Sequence, residues 1–582
     1  MKRFRPGASF GDFVVRDSQT RKSRIGDEVE RDFRRGWLVW VMVILGLGTL
    51  AVRLLTLQVV YGERYRVLSD ENRVKTIRIS APRGVIYDRN GVVLASNQKF
   101  TKIEDDEVRE KYLRVYPFKE NTAHVMGYLG EVKEDEVGLL KESGSKYSVG
   151  DLVGRTGIEY TYENQLRGIE GGRLVEVDNR GQVSRELGRK EPQPGTDIHL
   201  AVDAVLQEIA SSAMAGKKGA VIVSIPNTGE IMALVSSPTY DPNLFVGDIN
   251  DLKTSEIQKV LTDENLPMFN RAIGGVYPPG STFKMVTTTA AIDSGKVSPG
   301  FVYEDSGVIR VGIYSYNNWL FSKSGGTEGV IGFARALTRS TDTFFYKVGE
   351  MTGPATIAEW GKKMALSEKT DIDLPGEVEG LMPNPDWKKE VKGEAWFLGD
   401  TYIMSIGQGD ILTTPIQINR MTNILASQGK KCRLHLVSED MVEHGCEEVE
   451  IAPETLDIIR KGMTGACSSG GTAFPLFDWN DAALKNSGGG TFSKAGGGQT
   501  LPIVACKTGT AEYMSENGKM RTHGWLTAFA PVEQPKISVT VLMEGGGEGS
   551  NVAAPVVRKI LAKFFEVTDL YPYGAIKNEI SE

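Results

Sequence analysis

Tyr277-Pro278-Pro279-Gly280-Ser281-Thr282-Phe283-Lys284 is the stretch that decides how this chain is read. Pro-Pro-Gly closes the preceding segment and lets a helix begin at Ser281. Ser281 and Lys284, at i and i+3, then share one helix face. A lysine so placed activates a serine without a histidine: the amine takes the hydroxyl proton, and the helix N-terminus favours the charge that develops on oxygen. The amine can do this only when neutral, so burial and a second nearby cation must lower its pKa. Four Ser-x-x-Lys matches occur, at Ser96/Lys99, Ser143/Lys146, Ser281/Lys284 and Ser427/Lys430. Only Ser281 follows a chain break that starts a helix; the others sit in loop-like stretches or at a helix end.

Two downstream segments complete the pattern. Lys507-Thr508-Gly509-Thr510 closes an expected strand, Ile503–Thr510. Lys507 supplies the second cation, Thr508 and Thr510 suit a substrate carboxylate, and Gly509 lets a substrate backbone approach the strand. Backbone N–H groups of Ser281 and Thr510 are expected to form an oxyanion hole. Between these segments lies Arg339-Ser340-Thr341-Asp342. Alone it reads as a helix cap; in this order it adds a second hydroxyl and a carboxylate to a site for acyl transfer through a serine ester.

The 582 residues, 40% hydrophobic and 25% charged, suit several globular domains. A net charge of −7 gives a nucleic-acid partner no support. The first 36 residues hold ten Lys/Arg against six Asp/Glu and lead into an apolar run from Trp37, interrupted by Arg53 and again mostly apolar from Leu54 to Val60. As a helix, that run spans about 36 Å, enough for roughly 30 Å of bilayer hydrocarbon, with Arg53 reaching toward the headgroups. The long polar lead and the lack of an A-x-A site argue against a cleaved signal peptide. The basic tail places the N-terminus in the cytoplasm and residues 61–582 outside the cell membrane. All four cysteines fall in that outer part. Cys432 and Cys446 flank an expected hairpin, and both a disulfide there and four free thiols fit the sequence. No spacing suggests a metal site. The glycine-rich runs Gly488–Gly498 and Gly545–Gly549 lack the phosphate-loop pattern and read as loops.

Alternation predicts a strand over Arg73–Ser80 and a hairpin through Asp88-Arg89-Asn90-Gly91. Residues 98–122 read as charged and irregular. A helical stretch within 154–172, a strand over Leu174–Arg180 and a linker at Glu191–Thr196 follow. Next come a strand at Asp197–Leu200, a helix over Ala204–Ala213 and a hairpin pairing Gly219–Ile225 with Glu230–Val235. Helices fill much of 281–365. Strands return at Ile503–Thr510, Trp525–Ala530 and Lys536–Met543, before a helix over Ala554–Phe565. This order predicts an α/β (α+β) fold with a central antiparallel sheet and a helical subdomain. The expected organisation is a cytoplasmic tail (1–36), a transmembrane anchor (37–60), a β-rich non-catalytic pedestal (61–214), a catalytic domain (215–570) and a C-terminal tail (571–582).

The order Ser281-x-x-Lys284, Ser340-x-Asp342, Lys507-Thr508-Gly509 resembles the penicillin-binding proteins and serine β-lactamases. YPPGSTFK (277–284), MSIGQGDILTTPIQ (404–417), CKTGTAE (506–512) and HGWLTAFAP (523–531) look like the transpeptidase domain of class B penicillin-binding proteins. APRGVIYDRNGVVLASN (81–97) and GRTGIEYTYENQLRG (154–168) are similar to that family's pedestal. Asp342 and FLGDTYIMSIGQG (397–409) resemble the elongation-type, penicillin-binding protein 2 group. The resemblance implies DD-transpeptidation. Ser281 attacks the penultimate D-alanine carbonyl of a peptidoglycan stem peptide and Lys284 takes its proton. Ser340 and Lys507 relay a proton to the leaving D-alanine, and an amine from a neighbouring stem peptide resolves the ester. β-Lactams acylate the same serine, while Lys507, Thr508 and Thr510 hold the carboxylate. No cofactor is implied. The implied partners are a SEDS-type glycosyltransferase, met through residues 37–60 and the pedestal, and other cell-wall elongation proteins. The other readings are a penicillin sensor or non-catalytic scaffold, and a hydrolytic carboxypeptidase or β-lactamase. Two departures stand out: Asp342 where the broader family has Asn, and only about 30 residues between Asn97 and His124, where relatives carry a larger head.

Overall fold

The computed structural model describes residues 25–104, 107–142, 147–178, 182–247, 251–438, 445–487, 501–515, 518–569 and 571. The expected tails lie largely outside these residues, as do Ser143/Lys146 and Gly488–Gly498. The chain forms two compact units: residues up to Arg78 with Gly172–Lys190, and Ile79–Gly171 with the chain from Glu191 onward.

In the first unit the expected anchor is helical well beyond its apolar run, from Ile25 to Leu55, with a wider turn at Thr56–Val60 and a further helix over Gly62–Arg73. Trp37–Val60 has a mean hydropathy of 2.3 and none of it is buried within the protein. Thr49 and Thr56 turn their hydroxyls onto carbonyls one turn back, which satisfies them without water. The strands Val74–Ile79, Gly171–Val177 and Val183–Lys190 form a three-stranded sheet in that order.

The second unit is built on a five-stranded antiparallel sheet. Its order is Ile231–Ser237, Gly219–Ser224, Ile537–Met543, Met520–Ala530 and Ala505–Met514, which leaves the Lys507 strand at the edge. One face packs on the helix Lys284–Asp293 and its neighbours, through Phe283, Phe344 and Trp525. The other packs on the helices Ala204–Ala213 and Ala554–Phe564, through Leu206, Val541 and Leu561. Asp203 caps the first of these by accepting from the Val205 and Leu206 N–H groups. A third core joins Ala220 and Ile222 of the sheet to Ile86, Ile198 and Leu200 of the expected pedestal. The pedestal residues from Ile79 to Gly171 thus share one apolar interior with the sheet.

Three expectations change. Residues 98–122 are not irregular: Val93–Glu104 pairs antiparallel with Glu107–Val115 as a long hairpin. Ser96/Lys99 lies on its first strand. The stretch 281–365 is interrupted by four strands of four residues each between Val302 and Gly332. The cysteines form two disulfides, Cys432–Cys446 across a short ladder and Cys467–Cys506, so the free-thiol reading falls.

Candidate active site

The expected helix start at Ser281 is a 3-10 turn, Gly280–Phe283, that runs directly into the helix from Lys284. Gly280 is what allows this. Its φ is +54°, and a Cβ there would lie 2.7 Å from the Thr510 carbonyl oxygen. The turn is fastened on two sides. The Gly280 N–H donates to the Gly407 carbonyl at 2.8 Å, and the Trp525 indole donates to the Pro278 carbonyl at 3.0 Å. Gly509 makes room for the same turn: a Cβ on it would meet Thr282 at 3.1 Å and the Pro279 carbonyl at 3.2 Å. The space expected for a substrate backbone at that face of Gly509 is filled by the chain itself.

Four of the residues named from sequence converge: Lys284, Ser340, Asp342 and Lys507. Lys284 is fully buried and points at the Ser340 region, donating to the Ser340 carbonyl at 2.8 Å, to its hydroxyl at 3.2 Å and to Asp342 Oδ1 at 2.6 Å. Lys507, equally buried, donates to the Ser340 hydroxyl at 2.9 Å and to the Thr508 carbonyl at 2.9 Å. Ser340 therefore stands between two amines. It holds this place in the left-handed region (φ +56°, ψ +40°), uncommon for a residue with a side chain. Among the described residues, no hydrogen bond joins Lys284 to the Ser281 hydroxyl; the amine is committed to Ser340 and Asp342.

Electrostatics follow from two buried amines and one carboxylate. Burial pushes Lys284 below the ordinary lysine range, and Asp342 pulls it back. Burial pushes Lys507 further down; the Lys284 charge adds to this and Asp342 only partly opposes it. Asp342 is itself fixed. Its Oδ2 accepts from the Trp319 N–H at 3.1 Å, and its own N–H donates to Asn318 Oδ1 at 3.3 Å.

Sequence reading missed several neighbours. Thr472 sets its hydroxyl 2.8 Å from that of Thr508, and Arg339 holds the same loop by donating to the Gly470 and Gly471 carbonyls. Gln408 donates to the Thr510 carbonyl at 3.3 Å. Asn318 and Trp319 meet Asp342 as described. None carries a local motif except Gln408, which lies in the Met404–Gln417 segment already singled out. No cluster that could hold a metal occurs among the described residues.

The family model described as the penicillin binding protein transpeptidase domain matches residues 219–562, and the penicillin-binding protein dimerisation domain matches 106–200. The peptidoglycan D,D-transpeptidase MrdA of Escherichia coli K12 is 32% identical over 91% of this chain and 93% of its own length. The crystal structure of Pseudomonas aeruginosa PBP2 in complex with WCK 5153 is similar at TM-score 0.69 and 32% identity, over 87% of this chain and all of that one. The complex of PBP2 and MreC from Helicobacter pylori contains a chain similar at TM-score 0.71 and 25% identity, covering 85% of this chain and 99% of that one.

Proposed function

This chain belongs to the penicillin-binding protein transpeptidases, within the penicillin-binding protein 2 group, and on that premise we propose Ser281 as the nucleophile of its D,D-transpeptidation. The enzyme is a serine acyltransferase that cross-links peptidoglycan stem peptides and binds penicillin covalently. The observation that carries the assignment of residues is the convergence of Lys284 and Lys507 on one hydroxyl, Ser340, beside the Ser281 turn.

In this reading the resting site keeps a proton on Lys284, bonded to Asp342, while Lys507 is the amine that surrenders its proton more readily. Substrate entry turns Lys284 toward Ser281, and Ser340 passes protons between the two amines. Ser281 Oγ bonds to the penultimate D-alanine carbonyl carbon, and its proton leaves through this relay to the departing D-alanine nitrogen. The amine of a second stem peptide then displaces Ser281, returning the proton. Thr508 and Thr510 hold the terminal carboxylate beside the buried positive charge. Asp342, ionised, accepts hydrogen bonds only, so it orients Lys284 and does not donate to a substrate carbonyl.

The apolar helix Trp37–Val60 anchors the chain, with the N-terminus cytoplasmic and the enzyme outside the membrane. We propose a SEDS-type glycosyltransferase as the partner that polymerises the glycan. The likeness to a chain solved with MreC supports a protein of that kind as a further partner. The test is product analysis with purified protein and pentapeptide substrate. A transpeptidase gives an amine-linked dimer that grows with acceptor concentration. A carboxypeptidase gives only free D-alanine, whatever the amine. A sensor or scaffold gives neither, and its Ser281→Ala variant supports growth.

A further inference from the structure

Asp305 ends the strand Val302–Asp305, 2% exposed, and no sequence motif marks it. A buried carboxylate is tolerated only where its oxygens are met by donors. Here four donors meet them. Oδ1 accepts from the Gly307 N–H at 2.8 Å and the Thr343 hydroxyl at 2.7 Å. Oδ2 accepts from the Asn318 amide at 3.0 Å and the Glu328 N–H at 2.9 Å. No cation is among these partners. The donors come from four separated places, and two of them flank Asp342. Thr343 is the next residue in its helix. Asn318 uses its amide nitrogen on Asp305 and its oxygen on the Asp342 N–H, and the residue after it, Trp319, donates to the Asp342 carboxylate. With the Asn318 nitrogen committed to Asp305, its oxygen must face Asp342.

We propose that Asp305 is a positioning residue of the acyl-transfer reaction: through Asn318 and Thr343 it holds the Asp342 carboxylate against Lys284. The inference rests on the reading of Lys284 as the base. Asp305 does not touch the reacting atoms; it fixes the group that holds the proton of the amine. The charged groups facing Lys284 are Asp342 from the helix Asp342–Thr352 and Lys507 from the edge strand. Tyr346, one turn beyond Asp342, and Tyr303, beside Asp305, are phenols held neutral by burial and these carboxylates. Arg339 turns away to Glu328. Loosening Asp342 therefore removes the one anion bonded to Lys284, and the amine should lose its proton at lower pH.

The experiment is the pH profile of acylation by a fluorescent penicillin, using the full chain in detergent, for wild type, Asp305→Asn and Thr343→Val. Asp305→Asn keeps the shape but sets a donor against donors. The expected result is a plateau lower by about ten- to a hundred-fold, from misplacement of the base, with the acid limb moved to lower pH. Thr343→Val should move the limb the same way by less, and it serves if Asp305→Asn does not fold. An unmoved acid limb in Thr343→Val, and in Asp305→Asn if it folds, overturns the proposal even if the plateau falls, because a purely structural role lowers the active fraction without changing the profile. Wild type that does not label at all refutes the Ser281 reading instead.

Discussion

Two buried charge clusters in this molecule are made from similar parts and do opposite things. In the pedestal, Arg83 and Arg114 meet Glu159 and Glu163. Arg83 bridges both carboxylates with contacts of 2.8 Å, and Arg114 closes on Glu159 at 2.7 Å. Tyr116, Tyr147 and the Gly154 N–H fill remaining acceptor positions. Two guanidinium groups balance two carboxylates. Arg114 and Arg83 outweigh the burial of Glu159 and hold its carboxyl below the usual range. In the active site two amines share one carboxylate, and both are driven toward losing a proton. A balanced buried cluster fixes geometry; an unbalanced one leaves an amine free to work as a base. Lysine suits the second use because burial can neutralise it, whereas arginine stays charged.

The sharpest separation of the two clusters comes from removing Lys284. Lys284→Ala should lower the acylation rate by about 10²- to 10⁴-fold with folding retained, read by labelled-penicillin kinetics alongside thermal melts. Glu159→Gln should do the reverse. It leaves Arg114 and Arg83 short of a charge partner and should lower unfolding stability by about 3–5 kcal/mol, with the folded fraction acylating normally. Equal activity loss per folded molecule in both variants would erase the distinction.

Much of the active cluster was legible because three short motifs carry it. Lys284, Ser340, Asp342 and Lys507 come together as motif order suggested. The direction of Lys284 was not legible: its choice of Asp342 over Ser281 depends on Asn318 and Trp319, which come from another loop. Thr472 and Asp305 were invisible for the same reason, being long-range contacts of residues without local pattern. The central strands could be read as short apolar runs buried on both faces, and the helix Ala204–Ala213 because one face of it is buried. The hairpin from residue 98 onward could not, since Gln98, Lys99 and Phe100 are exposed in succession and a strand wet on both faces shows no alternation. The four-residue strands between Val302 and Gly332 are too short for any period to show.

Asp342→Asn tests the imbalance more gently. Without the carboxylate, Lys284 keeps the lowering by burial and loses the opposing pull, so the acid limb of acylation should move to lower pH. A limb that stays in place would show that Asp342 does not hold the Lys284 proton. The smallest effect is on stability. An amine with a lowered folded pKa binds more protons unfolded than folded between that pKa and the ordinary 10.5, so stability rises with pH across that window. Lys507→Met should flatten this rise in denaturant titrations between neutral and alkaline pH. An unchanged slope would mean Lys507 is charged in the folded protein.

The most direct measurement is mass spectrometry of the intact enzyme and its peptides after reaction with benzylpenicillin. A single adduct on the peptide carrying Ser281, absent in Ser281→Ala, is the expected result. An adduct on Ser340, or equal labelling of Ser281→Ala and wild type, would contradict the assignment of Ser281 as nucleophile and Lys284 as its base.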